Sequence, residues 1–131
     1  MFGLPQSVGV TTSRVATIYG GAPYAPQLRA LRSGASIVVG TPGRVIDHLE
    51  RGTLKLGGVE CFVLDEADEM LRMGFFEAVE TIFEATPDGR QVALFSATMP
   101  DAIRRTANKN LVDPVIVQVE KSALTVEHIE Q

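Results

Sequence analysis

The sequence predicts an α/β protein with a mostly parallel sheet flanked by helices. Three observations carry that expectation. Short apolar runs alternate with amphipathic stretches of helical spacing. One of these runs, Cys61–Leu64, passes straight into Asp65, Glu66, Asp68 and Glu69, interrupted only by Ala67. A run of this kind suits a strand buried on both faces, and parallel sheets bind ligands outside the carboxyl ends of their strands. Lastly, the other predicted strands also open into turn or hydroxyl residues, at Gly20-Gly21, at Thr41 to Arg44 and at Ser96-Ala97-Thr98.

In chain order, the first strand is expected at residues 14–19, stopped by Gly20-Gly21. Pro26 suits the first turn of a helix carrying Leu28 and Leu31, with Gly34 just past its end. A second strand at 36–39 runs into Thr41-Pro42-Gly43-Arg44 and a helix with Val45, Ile46 and Leu49 on one side, ended by Gly52. The Cys61 strand leads to a turn of helix closed near Gly74, and Ala78, Val79, Ile82 and Phe83 mark the buried side of the next helix. Pro87-Asp88-Gly89 is a turn. A strand at 91–95 opens into Ser96, and a helix with Ile103, Ala107 and Leu111 follows Pro100. Residues 115–119 read as a last strand and 121–131 as a polar linker. All the strands are expected in one sheet, so the four loops should crowd one edge.

Composition narrows the classes. The chain has 131 residues, 45% hydrophobic and 21% charged, which suits one globular domain. Its 12 Lys and Arg are scattered, with only Arg104 and Arg105 adjacent, and the formal net charge is -4. A broad basic nucleic-acid patch is absent, so phosphate binding would fall to backbone amides and a few arginines, or to another domain. The single cysteine excludes an internal disulfide; Cys61 is expected to pack inside its strand, which suits a reducing cytosol. No apolar run approaches a membrane helix, and the first residues lack a signal-peptide pattern. The chain is expected to be cytoplasmic. His48 and His128 lack metal-ligand spacing to another candidate, and both read as helix-surface or linker residues.

If the Cys61 strand holds through Glu66, Asp65 and Glu66 project to opposite sides, one toward a hydrated metal and the other toward a water. An acidic residue at such a strand end holds Mg2+ in phosphate-loop nucleotide hydrolases. Alternatively the carboxylates form an acidic first helical turn, the favoured reading for Glu69 alone. At Thr41 to Arg44, Thr41 can cap the helix, Pro42 takes a position needing no amide bond, and Gly43 leaves the first turn bare. Such a terminus accepts a phosphate, helped by Arg44, and it is equally what plain good capping produces. Gly20 and Gly21 allow a ligand to approach the backbone closely or simply make a turn. Ser96 and Thr98 either hydrogen-bond the carboxylates or start the next helix.

Taken together, Val63-Leu64-Asp65-Glu66-Ala67-Asp68, Ser96-Ala97-Thr98, Thr41-Pro42-Gly43-Arg44 and Gly20-Gly21 resemble the DEAD-box RNA helicase family in order and spacing. The stretches 45–49 and 69–75 resemble its bacterial cold-shock subgroup. The resemblance covers residues 14–131 and leaves 1–13 unmatched. It implies a partial RecA-like, P-loop NTPase type domain, the later part of the first of two. Residues 14–120 would belong to that domain, and 121–131 would lead to an absent second RecA-like domain.

By the resemblance, Asp65 holds Mg2+ through water and Glu66 activates the attacking water. Asp68 connects the nucleotide site to Ser96 and Thr98, which link ATP state to unwinding. Gly20, Gly21, Thr41, Pro42, Gly43 and Arg44 contact the RNA sugar-phosphate backbone without sequence preference. ATP and Mg2+ are the implied cofactors.

The chain departs from the family in having no Gly-Lys pair, so it lacks the phosphate-loop unit. The isolated chain is therefore expected to be inactive and poorly stable. Its sheet should be split between the Ser96 strand and the last strand, with two edges exposed. Two other classes remain: a piece of another helicase or translocase, and a non-enzymatic RNA-binding or regulatory piece.

Overall fold

The computed structural model describes residues 14–119. Strands and helices alternate: β1 (Val15–Ile18), α1 (Tyr24–Arg32), β2 (Ile37–Gly40), α2 (Pro42–Glu50), β3 (Cys61–Leu64), α3 (Ala67–Arg72), α4 (Phe76–Glu84), β4 (Gln91–Leu94) and α5 (Asp101–Asn110). Parallel strands flanked by helices are what the apolar runs predicted.

The strands form two separate parallel pairs, β1 with β2 and β3 with β4. Val15 is aligned with Ile37 in the first pair and Cys61 with Gln91 in the second. This corrects the expectation of a single sheet. The break also falls between β1-β2 and β3-β4, not beyond the Ser96 strand. The last strand is corrected too: residues 115–119 form no ladder, and Val115, Ile116, Val117 and Val119 are 83 to 90% exposed. Their β-branched composition suits a strand, but a strand exists only where a neighbour takes up its amides and carbonyls. Among the described residues none pairs with them.

Helix ends follow the local chemistry. Gly34, Gly52 and Gly74 stand just beyond the C-caps of α1, α2 and α3 with φ of 83, 70 and 79°. That left-handed conformation costs glycine nothing and frees the chain to turn back. Gly40 serves a different purpose. A Cβ there would lie 2.6 Å from Ile18 Cγ1, 2.7 Å from Val45 Cγ2 and 2.8 Å from the Ile18 carbonyl, so only hydrogen lets β2 and α2 close against β1.

The core joins the two halves. Ile18, Val45, Leu54 and Ile82 form its buried centre, and Leu31, Val38, Ile46, Leu49, Leu56 and Phe62 pack around them. Under β3, the Phe62 and Phe83 rings stack with centroids 4.1 Å apart. Burying a side chain as large as Ile18 contributes about 2 kcal/mol. The strands are not buried on both faces as expected. In β1, Ala16 and Ile18 are buried while Val15 and Thr17 are exposed. Val39, Val63 and Phe95 are also more than half exposed, and so is Cys61 exposed rather than packed. Four-residue apolar runs show that both faces are compatible with burial. Among the described residues only β1 has fully buried positions, and β2, β3 and β4 are at most half-buried.

Among the described residues, no helix is long and apolar enough to cross a membrane.

Candidate functional site

Beyond β3 the chain leaves the strand at Leu64. Glu66 has φ 52° and ψ 46°, the left-handed region, and is the N-cap of α3. The strand therefore does not hold through Glu66, and alternation across a strand does not set the directions of Asp65 and Glu66. A left-handed non-glycine residue costs about 1 kcal/mol or more and persists only where its surroundings demand it. Here the flanks are tied down. Asp65 Oδ1 accepts the Glu66 amide at 2.8 Å, and the Ala67 amide donates to the Phe95 carbonyl at 3.0 Å.

That tie brings the end of β4 against the start of α3, and Asp68 completes it. Its Oδ2 accepts both the amide and the hydroxyl of Thr98, each at 3.0 Å. Its Oδ1 accepts the Glu69 amide at 3.1 Å, and its own amide donates to Ser96 Oγ at 3.2 Å. Ser96 Oγ in turn donates to the Thr98 carbonyl at 2.6 Å. Burial pulls the Asp68 carboxyl pKa upward, but the donors from Thr98, Glu69 and Ser96 outweigh it, and the net shift is downward. Asp68 is thus held ionised with its oxygens occupied. Asp65, Glu66, Asp68, Glu69, Phe95, Ser96 and Ala97 line one cleft.

No group of three or more His, Cys, Asp or Glu among the described residues has metal-ligand geometry. Asp65 has one oxygen engaged by the Glu66 amide and is exposed. A lone hard oxygen in an open cleft fits a cation such as Mg2+, which keeps most of its waters.

The second group of candidate residues lies beyond β1 and β2. Thr41 does not cap α2 with its side chain. Its Oγ1 instead accepts the Gly20 amide at 3.4 Å, because parallel pairing sets the ends of β1 and β2 side by side. Pro42 is the first residue of α2 and is buried, while a Cβ on Gly43 would meet nothing within 4 Å. The bare helix start is therefore open. Arg44 turns inward: its Nη1 donates to the Ala22 carbonyl at 3.2 Å and to Gln27 Oε1 at 3.1 Å. The candidates thus gather in two groups, one per strand pair, rather than along one sheet edge.

Sequence reasoning missed the polar core behind the second group. His48 is fully buried, not on the helix surface. Its Nε2 lies 3.0 Å from Gln27 Oε1 and its Nδ1 2.8 Å from Thr53 Oγ1, and the Tyr24 ring stacks on it at 4.4 Å. Desolvation lowers the His48 pKa and Asp47 opposes it, while Arg44 and Arg51 lower it further. Gln27 is the one buried residue of α1. The available signal was spacing: Gln27 precedes Leu31 by one helical repeat and His48 follows Val45 by three residues, so both lie on apolar faces.

Carboxylates and hydroxyls converging beyond the ends of parallel strands define a ligand-handling α/β protein. More narrowly, the chain belongs to the DEAD/DEAH box helicase family, whose model matches residues 5–106. It is 57% identical over 117 residues to the ATP-dependent RNA helicase DeaD of Escherichia coli strain K12, covering 89% of this chain and 19% of that protein. To the protein of the same name from Mycobacterium tuberculosis (strain CDC 1551 / Oshkosh) it is 58% identical over 117 residues, with 89% and 21% covered. Among solved structures it is similar to a DEAD box protein from Methanococcus jannaschii, with a TM-score of 0.73 at 53% identity over 76% of this chain and 27% of that one. A hypothetical ATP-dependent RNA helicase from Sulfolobus tokodaii also gives 0.73, at 39% identity over 78% and 30%. The chain spans about a fifth of the length of these curated relatives.

Proposed function

We propose that the chain supplies the carboxylate and hydroxyl half of the first RecA-like domain of an ATP-dependent RNA helicase. Its partners are RNA and a second RecA-like domain, its cofactors are ATP and Mg2+, and it works in the cytoplasm. The observation that supports this reading best is the double hydrogen bond from Thr98 to Asp68, which ties the acidic loop to the Ser96 loop.

In this reading Asp65 holds Mg2+ through water, and the ion when bound neutralises phosphate charge. Glu66, exposed beside it, takes a proton from the attacking water. Asp68 is already occupied by its own chain and performs no proton transfer. It carries a change at the nucleotide to Ser96 and Thr98. The open start of α2 and the Gly20-Gly21 turn contact the RNA sugar-phosphate backbone, with the Gly20 amide held by Thr41, which gives affinity without sequence preference.

The test is a chimera in which this chain replaces the aligned residues of the Escherichia coli relative. It should unwind a short RNA duplex with ATP, and Glu66→Gln should abolish ATP turnover while leaving RNA binding intact. A folded chimera with neither activity would refute the assignment.

A further inference from the structure

We propose that Gln27 is a positioning residue that locks the Gly20-Gly21 turn to the start of α2, and that binding of an RNA backbone depends on this lock. The inference rests on the RNA reading above. Nothing in the sequence motifs points to Gln27, which lies outside both turns. Yet its side chain, only 4% exposed, reaches both.

Its hydrogen bonds fix its orientation. Arg44 can only donate, so the amide atom 3.1 Å from Nη1 must be the oxygen. The NH2 group then donates to the Tyr19 carbonyl at 3.0 Å, immediately before Gly20. Both requirements agree, so the amide has one allowed orientation. The same oxygen faces His48 Nε2 at 3.0 Å and must be met by an N–H. His48 is therefore the Nε2–H tautomer. Thr53 has one hydroxyl proton and lies 2.8 Å from Nδ1 and 3.1 Å from the His48 carbonyl; Nδ1, left without a proton, accepts it.

Each end of this chain of bonds meets a turn. Gln27 holds Tyr19, Arg44 holds Ala22, and together they bracket Gly20 and Gly21. Gly21, with φ of 82°, sits in a conformation that glycine adopts freely but does not hold by itself. Amides that bind an anion well must point at it before it arrives, since ordering them on binding subtracts from affinity. Gln27 supplies that order from inside.

The test uses the chimera described above, carrying Gln27→Ala or Gln27→Glu. Binding of a fluorescent single-stranded RNA is titrated with salt, and nitrogen NMR reads the His48 ring and the Gly20 and Gly21 amides. In the unaltered chimera His48 should be the Nε2–H tautomer. Gln27→Ala should weaken RNA binding about tenfold with the slope of log affinity against log salt unchanged, because no cation is removed. It should also shift both glycine amides and release the His48 tautomer. Gln27→Glu keeps an acceptor for Arg44 and His48 but cannot donate to Tyr19. It should keep the tautomer and still weaken RNA binding. Unaltered affinity in both variants, or glycine amides that move in neither, would overturn the proposal. If the unaltered chimera binds no RNA, the functional reading has failed, and the amide and tautomer signals alone decide whether Gln27 is the lock.

Discussion

Thr98 gives Asp68 two hydrogen bonds at 3.0 Å, one from its amide and one from its hydroxyl, onto a single carboxylate oxygen. The loop after β4 therefore cannot move without disturbing a charged residue in the first turn of α3, two positions beyond Glu66. Hydrogen bonds to a charged acceptor are the stronger kind.

Coupling rather than chemistry is what this geometry offers. In the chimera with the Escherichia coli relative, replacing Ser96 and Thr98 together by Ala should reduce duplex unwinding at least tenfold more than ATP turnover. Parallel assays of phosphate release and strand displacement check this. Equal losses would assign the hydroxyls a direct catalytic or purely structural part.

His48 makes stability depend on pH. Burial lowers its folded pKa below the ordinary 6.5, so the unfolded chain takes up the proton first as pH falls. Stability should be full above pH 6.5 and decline below it, toward the lowered folded value. Asp47 opposes this shift, whereas Arg44 and Arg51 reinforce it. Urea unfolding of the chain at pH 7.5 and 5.5 should show the decline, and His48→Gln should remove most of it.

Close approach at Gly40 gives a packing test. Gly40→Ala places a methyl within 2.8 Å of Ile18 and Val45 atoms, one of them backbone. The substitution should cost about 1–3 kcal/mol, as overpacking does. Thermal unfolding should show a clear drop for Gly40→Ala and almost none for Gly43→Ala, where nothing lies within 4 Å.

ATP should not bind this chain measurably. The cleft beside β3 presents Asp65, Glu66, Asp68 and Glu69, and no Gly-Lys pair occurs in the sequence to supply a phosphate loop. An anionic nucleotide meets like charge there. Calorimetry with ATP and Mg2+ should show no saturable heat, and a phosphate-release assay with RNA should equal that of Glu66→Gln.

Element types were legible because periodicity is a local property. The apolar runs at β1 to β4 and the helical spacing of Val45, Ile46 and Leu49 need only neighbours in sequence, and Gly34, Gly52 and Gly74 stop helices by their own conformational freedom. The family was equally local, since its motifs are short and ordered along the chain. Partnership was not. Whether residues 115–119 join a ladder, whether Cys61 is covered, and whether the strands make one sheet or two depend on what lies alongside. Gln27 and His48 show the same limit from the polar side. A glutamine and a histidine on apolar helix faces become a buried network only because α1 and α2 pack so that Gln27 meets Arg44 and His48, 17 and 21 positions away, and hydrogen-bond satisfaction across such separations is decided by tertiary structure alone.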